Sequence, residues 1–311
     1  MTVSDLGEFG LIARVTADLE PAPNAVVGPG DDAAVIATSD HRVVASTDML
    51  VENRHFRRDW STAEDVGHKA AARAFSDIAA MGALPSALLV SFAAPGTLEL
   101  GWVDGLMSGL RAECAGVEAG IVGGDVTASD TIVLGLTALG DLDGGNPVTL
   151  DGARPGDIVA VCGRLGWAAA GFAVLGRGFR SPVQVVTAHR RPEPPYFEGR
   201  RAAAVGATAM TDVSDGLVAD LGHIAAASEV RIDLRADALD VPAKLREVGG
   251  ALNVDPLVWV LTGGDDYALV ATFPRRVELP DTWRPIGLVA EGEGVRVDGR
   301  RWPVGGHEHF R

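Results

Sequence analysis

Aspartates set among glycines and serines are the side chains of this 311-residue chain that are most suited to chemistry. Each of their segments has the composition of a short turn, so we expect the carboxylates to be presented on turns beside strands. Carboxylate and hydroxyl oxygens are the ligands that hard divalent cations prefer, and the pattern predicts a magnesium site. The segments are Gly30-Asp31-Asp32, Ser46-Thr47-Asp48, Ser76-Asp77, Gly123-Gly124-Asp125, Asp212-Val213-Ser214-Asp215-Gly216 and Gly263-Gly264-Asp265-Asp266.

These segments also have ordinary structural interpretations. Gly-Asp and Ser-Asp pairs are common in turns, because Asp bonds to nearby backbone and Gly accepts positive φ. Asp77 lies four residues after Arg73 in a predicted helix, which is the spacing of an ion pair. Asp215 is placed to be a helix N-cap, and His55 to be a loop or core histidine. The neighbouring residues must therefore distinguish a metal site from a set of turns.

The charge of the chain excludes several partners. Its formal net charge is −15, and we expect no binding to nucleic acid or to an anionic membrane, since Lys and Arg carry affinity for phosphate backbones. Lys69 and Lys244 are the only lysines, and neither stands in the Gly-rich context of a P-loop. A nucleotide bound by this chain would need metal ions for much of its positive charge.

Cysteine usage and hydropathy indicate an intracellular protein. Cys114 and Cys162 lie far apart and outside any Cys-x-x-Cys pattern, which argues against a disulfide framework or a thiolate zinc site. No apolar run approaches the roughly 18 residues of a membrane span. The first residues lack the basic start and apolar run of a secretory signal, so we expect a cytoplasmic location.

The elements that must position the aspartates alternate between strands and helices. Ser61 and Glu64 have the spacing of a capping box before the first of the predicted helices, and residues 42–48 form a strand ending at the Ser-Thr-Asp segment. Three prolines, Pro192, Pro194 and Pro195, indicate irregular backbone over 181–200. The remaining strands are predicted over 87–94, 119–122, 131–139, 157–162, 230–234, 267–273 and 285–298, and the helices over 62–81, 99–116, 167–176 and 217–228.

A stretch rich in Gly, Asp and Pro, from Gly140 to Gly156, predicts a domain boundary. We divide the chain into residues 1–145 and 146–311, each with strands and helices of its own. The predicted fold class is α/β (α+β), with two α/β domains. Acidic Gly or Ser segments occur in both domains.

The neighbours of the aspartates resemble the thiamine-monophosphate kinase family in an ordered series that runs from residue 7 almost to the C-terminus. The wider superfamily includes aminoimidazole ribonucleotide synthetase, selenophosphate synthetase and a hydrogenase maturation factor, but the STDMLVENRHF and SDIAAMGA segments are most similar to the thiamine-phosphate branch. The matching segments are GEFGLIAR (7–14), GPGDDAAVI (28–36), STDMLVENRHF (46–56), SDIAAMGA (76–83), GGD (123–125), ARPGD (153–157), DVSDGLVADLGHIAAAS (212–228) and GGDDYAL (263–269).

The resemblance implies a fold and a reaction. It implies mixed sheets, a homodimer whose N-terminal domains pair through their sheets, and a C-terminal domain that closes over a shared ATP cleft. ATP phosphorylates thiamine monophosphate to thiamine diphosphate by direct in-line transfer, which several Mg²⁺ ions assist. No general base is assigned, because a phosphate acceptor is already ionised near neutral pH.

The resemblance also assigns roles by motif position. Gly124, Asp125 and Ser214 would contact ATP. His55, Asp265 and His307 would face thiamine monophosphate. The metal ligands would be Asp32, Ser46, Thr47, Asp48, Asp77, Asp125, Asp212 and Asp215.

Several positions depart from the family pattern. Asp265 stands where the family has Glu, and His307 aligns near a position where the family has an aromatic residue. Leu150 replaces an arginine expected to contact ATP, and Met107 replaces a tyrosine. The metal motifs are intact, but the altered contacts to the organic ligands leave two other hypotheses open. One is a related ATP-dependent enzyme with another acceptor, and the other is a dimer that binds nucleotide or thiamine phosphate without catalysis.

Overall fold

The computed structural model describes residues 1–29 and 33–302 of the chain, which divides into two compact units. The first unit comprises Met1–Ile78 and Ala83–Gly144, and the second comprises Ala79–Gly82 and the chain from Gly145 onward. Asp32 and His307, two of the predicted site residues, lie outside the described residues. Among the described helices, none has the length and apolar character needed to cross a membrane.

The first unit is built from three helices and six strands of the described residues. Helix α1 begins at a Thr2–Asp5 capping box, in which Asp5 accepts a hydrogen bond from the Thr2 N–H at 2.7 Å. The elements, in chain order, are α1 (Val3–Thr16), β1 (Ala25–Val27), β2 (Val35–Ile36), β3 (Val44–Val51), α2 (Ala63–Ala80), β4 (Leu84–Ala94), α3 (Leu100–Gly116), β5 (Gly120–Ala128) and β6 (Val133–Asp141).

A mixed sheet of strand order β3-β6-β4-β5 forms the base of this unit. Strand β6 pairs antiparallel with β3 and β4, and β4 pairs parallel with β5. Side chains alternate across a strand, and Leu134, Leu136 and Ala138 of β6 are fully buried on one face. Helices α2 and α3 approach closely, because a Cβ on Gly109 would lie 2.1 Å from the Glu64 carbonyl oxygen.

The second unit contains a larger sheet and six helices among its described residues. The elements continue as β7 (Ile158–Cys162), α4 (Trp167–Gly176), α5 (Val183–Arg190), α6 (Tyr196–Val205), β8 (Ala209–Asp212), α7 (Leu217–Ala227), β9 (Arg231–Leu234), α8 (Ala243–Leu252), α9 (Pro256–Thr262), β10 (Leu269–Phe273), β11 (Arg284–Ala290), β12 (Gly294–Val297) and β13 (Arg300–Arg301), with short 3₁₀ turns at Leu150–Gly152 and Ala236–Ala238.

Seven strands form the sheet of the second unit, in the order β13-β12-β9-β11-β7-β10-β8. Strands β9 and β12 pair parallel, whereas β10 pairs antiparallel with β7 and β8. Every residue of β10 is buried, which places this strand in the core of the unit. The two α/β units with mixed sheets confirm the predicted fold class.

Two of the segments predicted to be turns lie within strands. Ser46, Thr47 and Asp48 are in the middle of β3, which pairs with β6 along its whole length from Val44 to Val51. Gly123–Asp125 lies within β5. The capping box of α2 is also displaced by one residue from the prediction, since Thr62 and Asp65 exchange its two hydrogen bonds at 2.9 and 3.1 Å.

The region predicted to be irregular, 181–200, contains α5 and the first half of α6. Pro182 and Pro195 stand at the N-cap positions of these helices. Proline is tolerated at a helix start, where the N–H it lacks would have no intrahelical partner. The proline signal in this region therefore marks helix starts as well as loops.

Candidate functional site

Strand β3 and helix α2 bring three of the predicted metal ligands together. Ser46 and Asp48 are two residues apart in β3, so their side chains share one face of the sheet with Leu50, which is fully buried. Asp77 lies in α2, and the Ser46 hydroxyl donates a hydrogen bond to its Oδ2 at 2.5 Å. The three side chains form a compact group of oxygen atoms, which we call the Asp48–Asp77 cluster.

A guanidinium neutralises part of this cluster. Arg73, one turn before Asp77 in α2, donates from Nη2 to Oδ1 of Asp48 at 3.0 Å, with side-chain exposures of 16% and 21%. The pKa of Asp77 is raised, first by burial and then by the charge of Asp48, whereas Ser46 and Arg73 act to lower it. Arg73 and Asp77, which are four residues apart in α2, thus belong to a larger charged group that includes Asp48.

The Asp48–Asp77 cluster has the chemistry of a magnesium site. Its donors are two carboxylates and a hydroxyl, which are the hard oxygen ligands that Mg²⁺ prefers. The raised pKa of Asp77 means that the site holds negative charge at a cost, and a bound cation would remove that cost. The residues present therefore fit the ion that the sequence predicts.

Thr47 and Asp125 belong to the opposite face of the same sheet. Thr47 is in register with Thr137 of β6, and its hydroxyl donates to the Leu136 carbonyl oxygen at 3.0 Å. Asp125 is exposed on β5 and in register with Ser91 of β4. Three strand spacings separate β5 from β3, which is roughly 14 Å. The structure therefore does not bring these two side chains to the Asp48–Asp77 cluster.

Gly124 is required by a close approach between two strands. A Cβ on this residue would lie 1.9 Å from the Val90 carbonyl oxygen of β4. Only glycine fits this contact, and its backbone is exposed beside the Asp125 side chain. The Gly124-Asp125 pair is therefore an accessible piece of backbone next to a carboxylate, which is suited to contact a polar ligand.

In the second unit, the predicted ligands follow the end of β8. Asp212 is the last residue of β8, is 6% exposed, and is in register with Leu269 of β10. The chain then continues through Val213, Ser214 and Asp215 to helix α7, and we call Asp212–Gly216 the acidic loop. Gly216, not Asp215, occupies the N-cap position of α7. The N-cap interpretation of Asp215 is therefore wrong, and its carboxylate is available for other contacts.

Backbone hydrogen bonds join the acidic loop to the turn before β10. The Val213 N–H donates to the Ala268 carbonyl at 2.7 Å, and the Tyr267 N–H donates to the Val213 carbonyl at 3.0 Å. The Asp265 N–H donates to the Ser214 carbonyl at 2.9 Å. The residue predicted to face the substrate is thus fixed directly to the residue predicted to contact ATP.

The glycines of both motifs have a steric role in this junction. A Cβ on Gly264 would lie 2.2 Å from the Ser214 carbonyl oxygen. Gly216 has a φ of +128° and its Cβ would approach the Thr262 backbone to 2.7 Å. Both positions favour glycine because two backbones touch there. The Gly-Gly-Asp-Asp and Ser-Asp-Gly motifs are therefore two halves of one packed arrangement.

A buried carboxylate on α7 holds the end of the acidic loop. Oδ2 of Asp220 accepts hydrogen bonds from the N–H groups of Asp215 at 3.1 Å and Gly216 at 2.9 Å. Asp220 is 3% exposed, and burial raises its pKa to about 7. Ligand atoms of Asp215, Asp220 and His223 lie within 4.8 Å of one another.

The Asp265 side chain is oriented by a neighbouring tyrosine. The Tyr267 hydroxyl donates to Oδ1 of Asp265 at 2.8 Å. Asp265 and Tyr267 have φ values of 65° and 52°, which are uncommon for residues other than glycine. Between them, Asp266 accepts hydrogen bonds from the N–H groups of Gly166 and Ala168, and burial raises its pKa to about 7. The turn is thus held by its own side chains in a strained conformation.

His55 lies just after β3, in the first unit. Its Nδ1 accepts a hydrogen bond from the Val51 N–H at 2.9 Å. The neutral imidazole therefore carries its proton on Nε2 and can donate from that atom. This orientation is compatible with a role as a hydrogen-bond donor to a phosphate.

The sequence did not single out Arg73 and Asp220 as functional candidates, and it named Asp266 only as part of the Gly-Gly-Asp-Asp segment. The signal for Asp220 was its place in the first turn of α7, just after the acidic loop. Of the departures from the family pattern, Met107 is 7% exposed in the core around α3, whereas Leu150 is 37% exposed.

Both units match known protein domains. Residues 30–142 match the AIR synthase related protein N-terminal domain, and residues 154–299 match the AIR synthase related protein C-terminal domain. The chain is 48% identical to the thiamine-monophosphate kinase of Mycobacterium tuberculosis strain H37Rv over 97% of this chain and 90% of that protein.

Solved protein structures are also similar to this chain. The structure of AaThiL complexed with AMPPCP and TMP has a TM-score of 0.83 and 33% identity, covering 100% of this chain and 99% of that chain. A thiamine-monophosphate kinase structure from Stenotrophomonas maltophilia K279a has a TM-score of 0.81 and 32% identity, covering 94% and 95% of the two chains.

Proposed function

Because this chain belongs to the thiamine-monophosphate kinase family, we propose that its carboxylate sites serve phosphoryl transfer from ATP to thiamine monophosphate. The products are thiamine diphosphate and ADP. The observation that carries this function is the match, over almost the whole of both chains, to a structure that holds AMPPCP and TMP together. AMPPCP stands in for ATP in that complex.

The reaction is a displacement at the γ-phosphorus of ATP. A phosphate oxygen of thiamine monophosphate forms the new bond to phosphorus, the bond from the γ-phosphorus to the bridging oxygen breaks, and ADP leaves with that oxygen. The acceptor oxygen is already ionised near neutral pH, so the chain needs no strong general base. What the protein must supply is position and compensation of negative charge.

The ligand roles follow from the two sites described above. Asp48, Asp77 and Ser46 are proposed to hold magnesium in the first unit, and Asp212 and Asp215 in the second. Magnesium, when bound, would supply positive charge for phosphate oxygens beside these carboxylates. Gly124, Asp125 and Ser214 are proposed to contact ATP. The further assignments of Thr47 and Asp32 as metal ligands stay predictions.

The contacts to thiamine monophosphate are also proposals. Asp265 is oriented by Tyr267 and bonded to the backbone of Ser214, which supports a position close to bound nucleotide. His55 is proposed to donate from Nε2 to the substrate phosphate. His307 stays a prediction, since it lies outside the described residues.

A homodimer is also part of the proposal. Met49, on β3 at the edge of the first sheet, is 59% exposed, and Thr47 beside it is also exposed. An exposed apolar side chain on a sheet edge supports pairing of two copies through this sheet. Light scattering of the purified chain would give the mass of a dimer if the proposal is right. The cytoplasmic location stays a prediction.

The decisive experiment incubates the purified protein with ATP, Mg²⁺ and thiamine monophosphate and separates the products by chromatography. We expect equal amounts of thiamine diphosphate and ADP. The variant Asp48→Asn should lose activity by orders of magnitude, whereas the control Asp104→Asn changes an exposed carboxylate paired with Arg14 and should not. Binding of nucleotide without product would instead indicate a binding protein, and ADP formed only with another acceptor would indicate a related enzyme.

A further inference from the structure

The acidic loop has no side-chain cap of its own at the start of α7. Its N-cap residue is Gly216, which makes no side-chain hydrogen bond. The first N–H groups of a helix and of the loop before it need acceptors, because they have no partner within the helix. Asp220 supplies one, since its Oδ2 accepts from both Asp215 and Gly216.

Asp220 lies on a helix that is packed into the core of the second unit. Helix α7 is anchored by Leu217, Leu221 and Ile224, each of which is fully buried. Asp220 itself is 3% exposed, so its carboxylate has been removed from water to reach the loop backbone. Burying a carboxylate is costly unless hydrogen bonds satisfy it, and here the loop N–H groups do so.

The other end of the acidic loop is fixed by different bonds. Val213 pairs with Ala268 and Tyr267, and Ser214 accepts from Asp265. The Asp220 bonds to Asp215 and Gly216 complete the set, so the loop is held from both of its ends. Without the Asp220 carboxylate, the N–H groups of Asp215 and Gly216 would lose this described acceptor.

We propose that Asp220 is a positioning residue for nucleotide binding, which holds the backbone of the acidic loop in the conformation that directs Asp215 and Ser214 toward magnesium and ATP. This inference rests on the proposed function of the loop. Asp220 acts through the position of its acceptor oxygen and does not itself contact the nucleotide. The placement of the acceptor, and not the charge, is the property that matters.

Two substitutions separate these properties. Asp220→Asn keeps a side-chain oxygen at the same distance from the backbone and removes the charge. Asp220→Glu keeps the charge and moves the oxygens by one methylene. Asp157→Asn is a matched control, because Asp157 is also buried in the second unit and accepts from the Arg154 N–H at 3.0 Å and the Thr208 hydroxyl at 2.7 Å.

The experiment measures the Mg²⁺-dependent binding of AMPPCP by calorimetry, with thermal unfolding of each variant as a check on folding. We expect the Kd for AMPPCP with Mg²⁺ to rise about tenfold in Asp220→Glu, which corresponds to the loss of about one good hydrogen bond. Asp220→Asn should stay within about threefold of the wild type. Asp157→Asn should bind AMPPCP as the wild type does, even if its melting temperature falls.

The inference is overturned if Asp220→Glu binds AMPPCP normally, since the placement of the acceptor would then not matter. It is also overturned if Asp220→Asn loses binding, since the charge would then be needed. Failure of the wild type to bind AMPPCP with Mg²⁺ would also overturn it. Because thiamine monophosphate is absent, the result is independent of turnover. A wild type that binds AMPPCP but forms no thiamine diphosphate would contradict the proposed function and leave the inference standing.

Discussion

Arg73 places the positive charge of a lysine-poor chain at the point where two carboxylates meet. It is bonded to Asp48 and its charge lowers the pKa of Asp77, which burial and Asp48 raise. A cation bound by these carboxylates would share them with Arg73. Arg73 therefore acts as a counter-ion in the absence of metal.

Replacing Arg73 should increase the dependence of the fold on Mg²⁺. Arg73→Leu leaves Asp48 and Asp77 without this guanidinium, and we expect it to lower the free energy of unfolding by about 2 kcal/mol in metal-free buffer. Added Mg²⁺ should then stabilise the variant more than the wild type. Urea unfolding with and without Mg²⁺ measures both quantities.

Arg14→Leu is the control, because Arg14 forms an ion pair with Asp104 in the same unit with side-chain exposures of 44% and 46%. Such an exposed pair contributes at most about 1 kcal/mol. The Mg²⁺ response of Arg14→Leu should equal that of the wild type. An equal response from Arg73→Leu would argue against a metal at the Asp48–Asp77 cluster.

The shorter carboxylate at position 265 should depend on Tyr267 for its orientation. Tyr267→Phe removes the hydroxyl that donates to Asp265 at 2.8 Å and leaves the ring, which is 2% exposed, in place. We expect the KM for thiamine monophosphate to rise roughly tenfold, or about 1.4 kcal/mol, while the KM for ATP stays near its wild-type value. Steady-state kinetics with each substrate varied in turn would check this. A rise of both KM values together would show a general disturbance of the turn.

At the scale of the elements, the strand pairing of β4 and β5 constrains the ATP-side motif. Gly124→Ala would place a Cβ 1.9 Å from the Val90 carbonyl, so the strands must separate. We expect a loss of about 1 to 3 kcal/mol in the free energy of unfolding, together with weaker AMPPCP binding. Urea unfolding and calorimetry would measure the two effects.

Gly101→Ala is the matched control in the same unit, since a Cβ there meets nothing within 4 Å and Gly101 lies in α3. Alanine in a helix is favoured over glycine by up to about 1 kcal/mol, so this variant should be as stable as the wild type or more so. If Gly124→Ala unfolds like Gly101→Ala, the close approach of β4 and β5 is not the reason for glycine at 124.

Asp266, which accepts from the Gly166 and Ala168 N–H groups at the start of α4, should make the stability of the fold depend on pH. The pKa of Asp266 is about 7 in the folded chain, against an ordinary value of 3.8, because burial favours its neutral form. The folded state therefore binds a proton that the unfolded state has released, and the free energy of unfolding falls as pH rises from about 4 to about 7. Asp266→Asn cannot titrate and should show a smaller fall. Urea unfolding at about pH 5 and about pH 8 would compare the two, and equal falls would contradict the assignment.

The elements show which features the sequence could predict. Most strands and helices with a clear apolar period were predicted within a few residues, including α3 and β10. The prolines of 181–200 were read as a sign of irregular backbone, but Pro182 and Pro195 stand at the N-caps of α5 and α6. Helices α8 and α9, which also begin beside a proline, were not predicted. A proline alone does not tell a helix start from a loop.

The site was predictable to the extent that motifs carry it. The grouping of Ser46, Asp48 and Asp77 could be named from the resemblance, but the continuation of the strand beyond Asp48 to Val51 could not, because long-range pairing with β6 overrides the turn preference of the Ser-Thr-Asp segment. The same pairing turns Thr47 away from its neighbours, which the motif alone does not reveal. Asp220 was missed because its role depends on contacts that only the folded chain makes.

For the whole molecule, a net charge of −15 makes metal binding a matter of stability as well as function. Within each unit, neighbouring carboxylates repel one another when no cation is bound, and this repulsion opposes the compact state of that unit. A ligand that binds only the folded state at a free concentration L stabilises it by RT ln(1 + L/Kd), which is about 2.7 kcal/mol when L is 100 times its Kd. We therefore expect EDTA to lower the melting temperature and added Mg²⁺ to restore it.

Salt screening must be separated from specific binding in this experiment. Sodium chloride at the ionic strength of the Mg²⁺ buffer reduces repulsion between exposed charges to the same extent without occupying a site that needs several oxygen ligands. The melting temperature in Mg²⁺ should exceed that in matched sodium chloride, and Asp48→Asn should reduce the difference, because it removes one ligand of the Asp48–Asp77 cluster. Equal melting temperatures in the two salts would mean that the carboxylates are only a diffuse negative charge, and the proposed metal site would have to be abandoned.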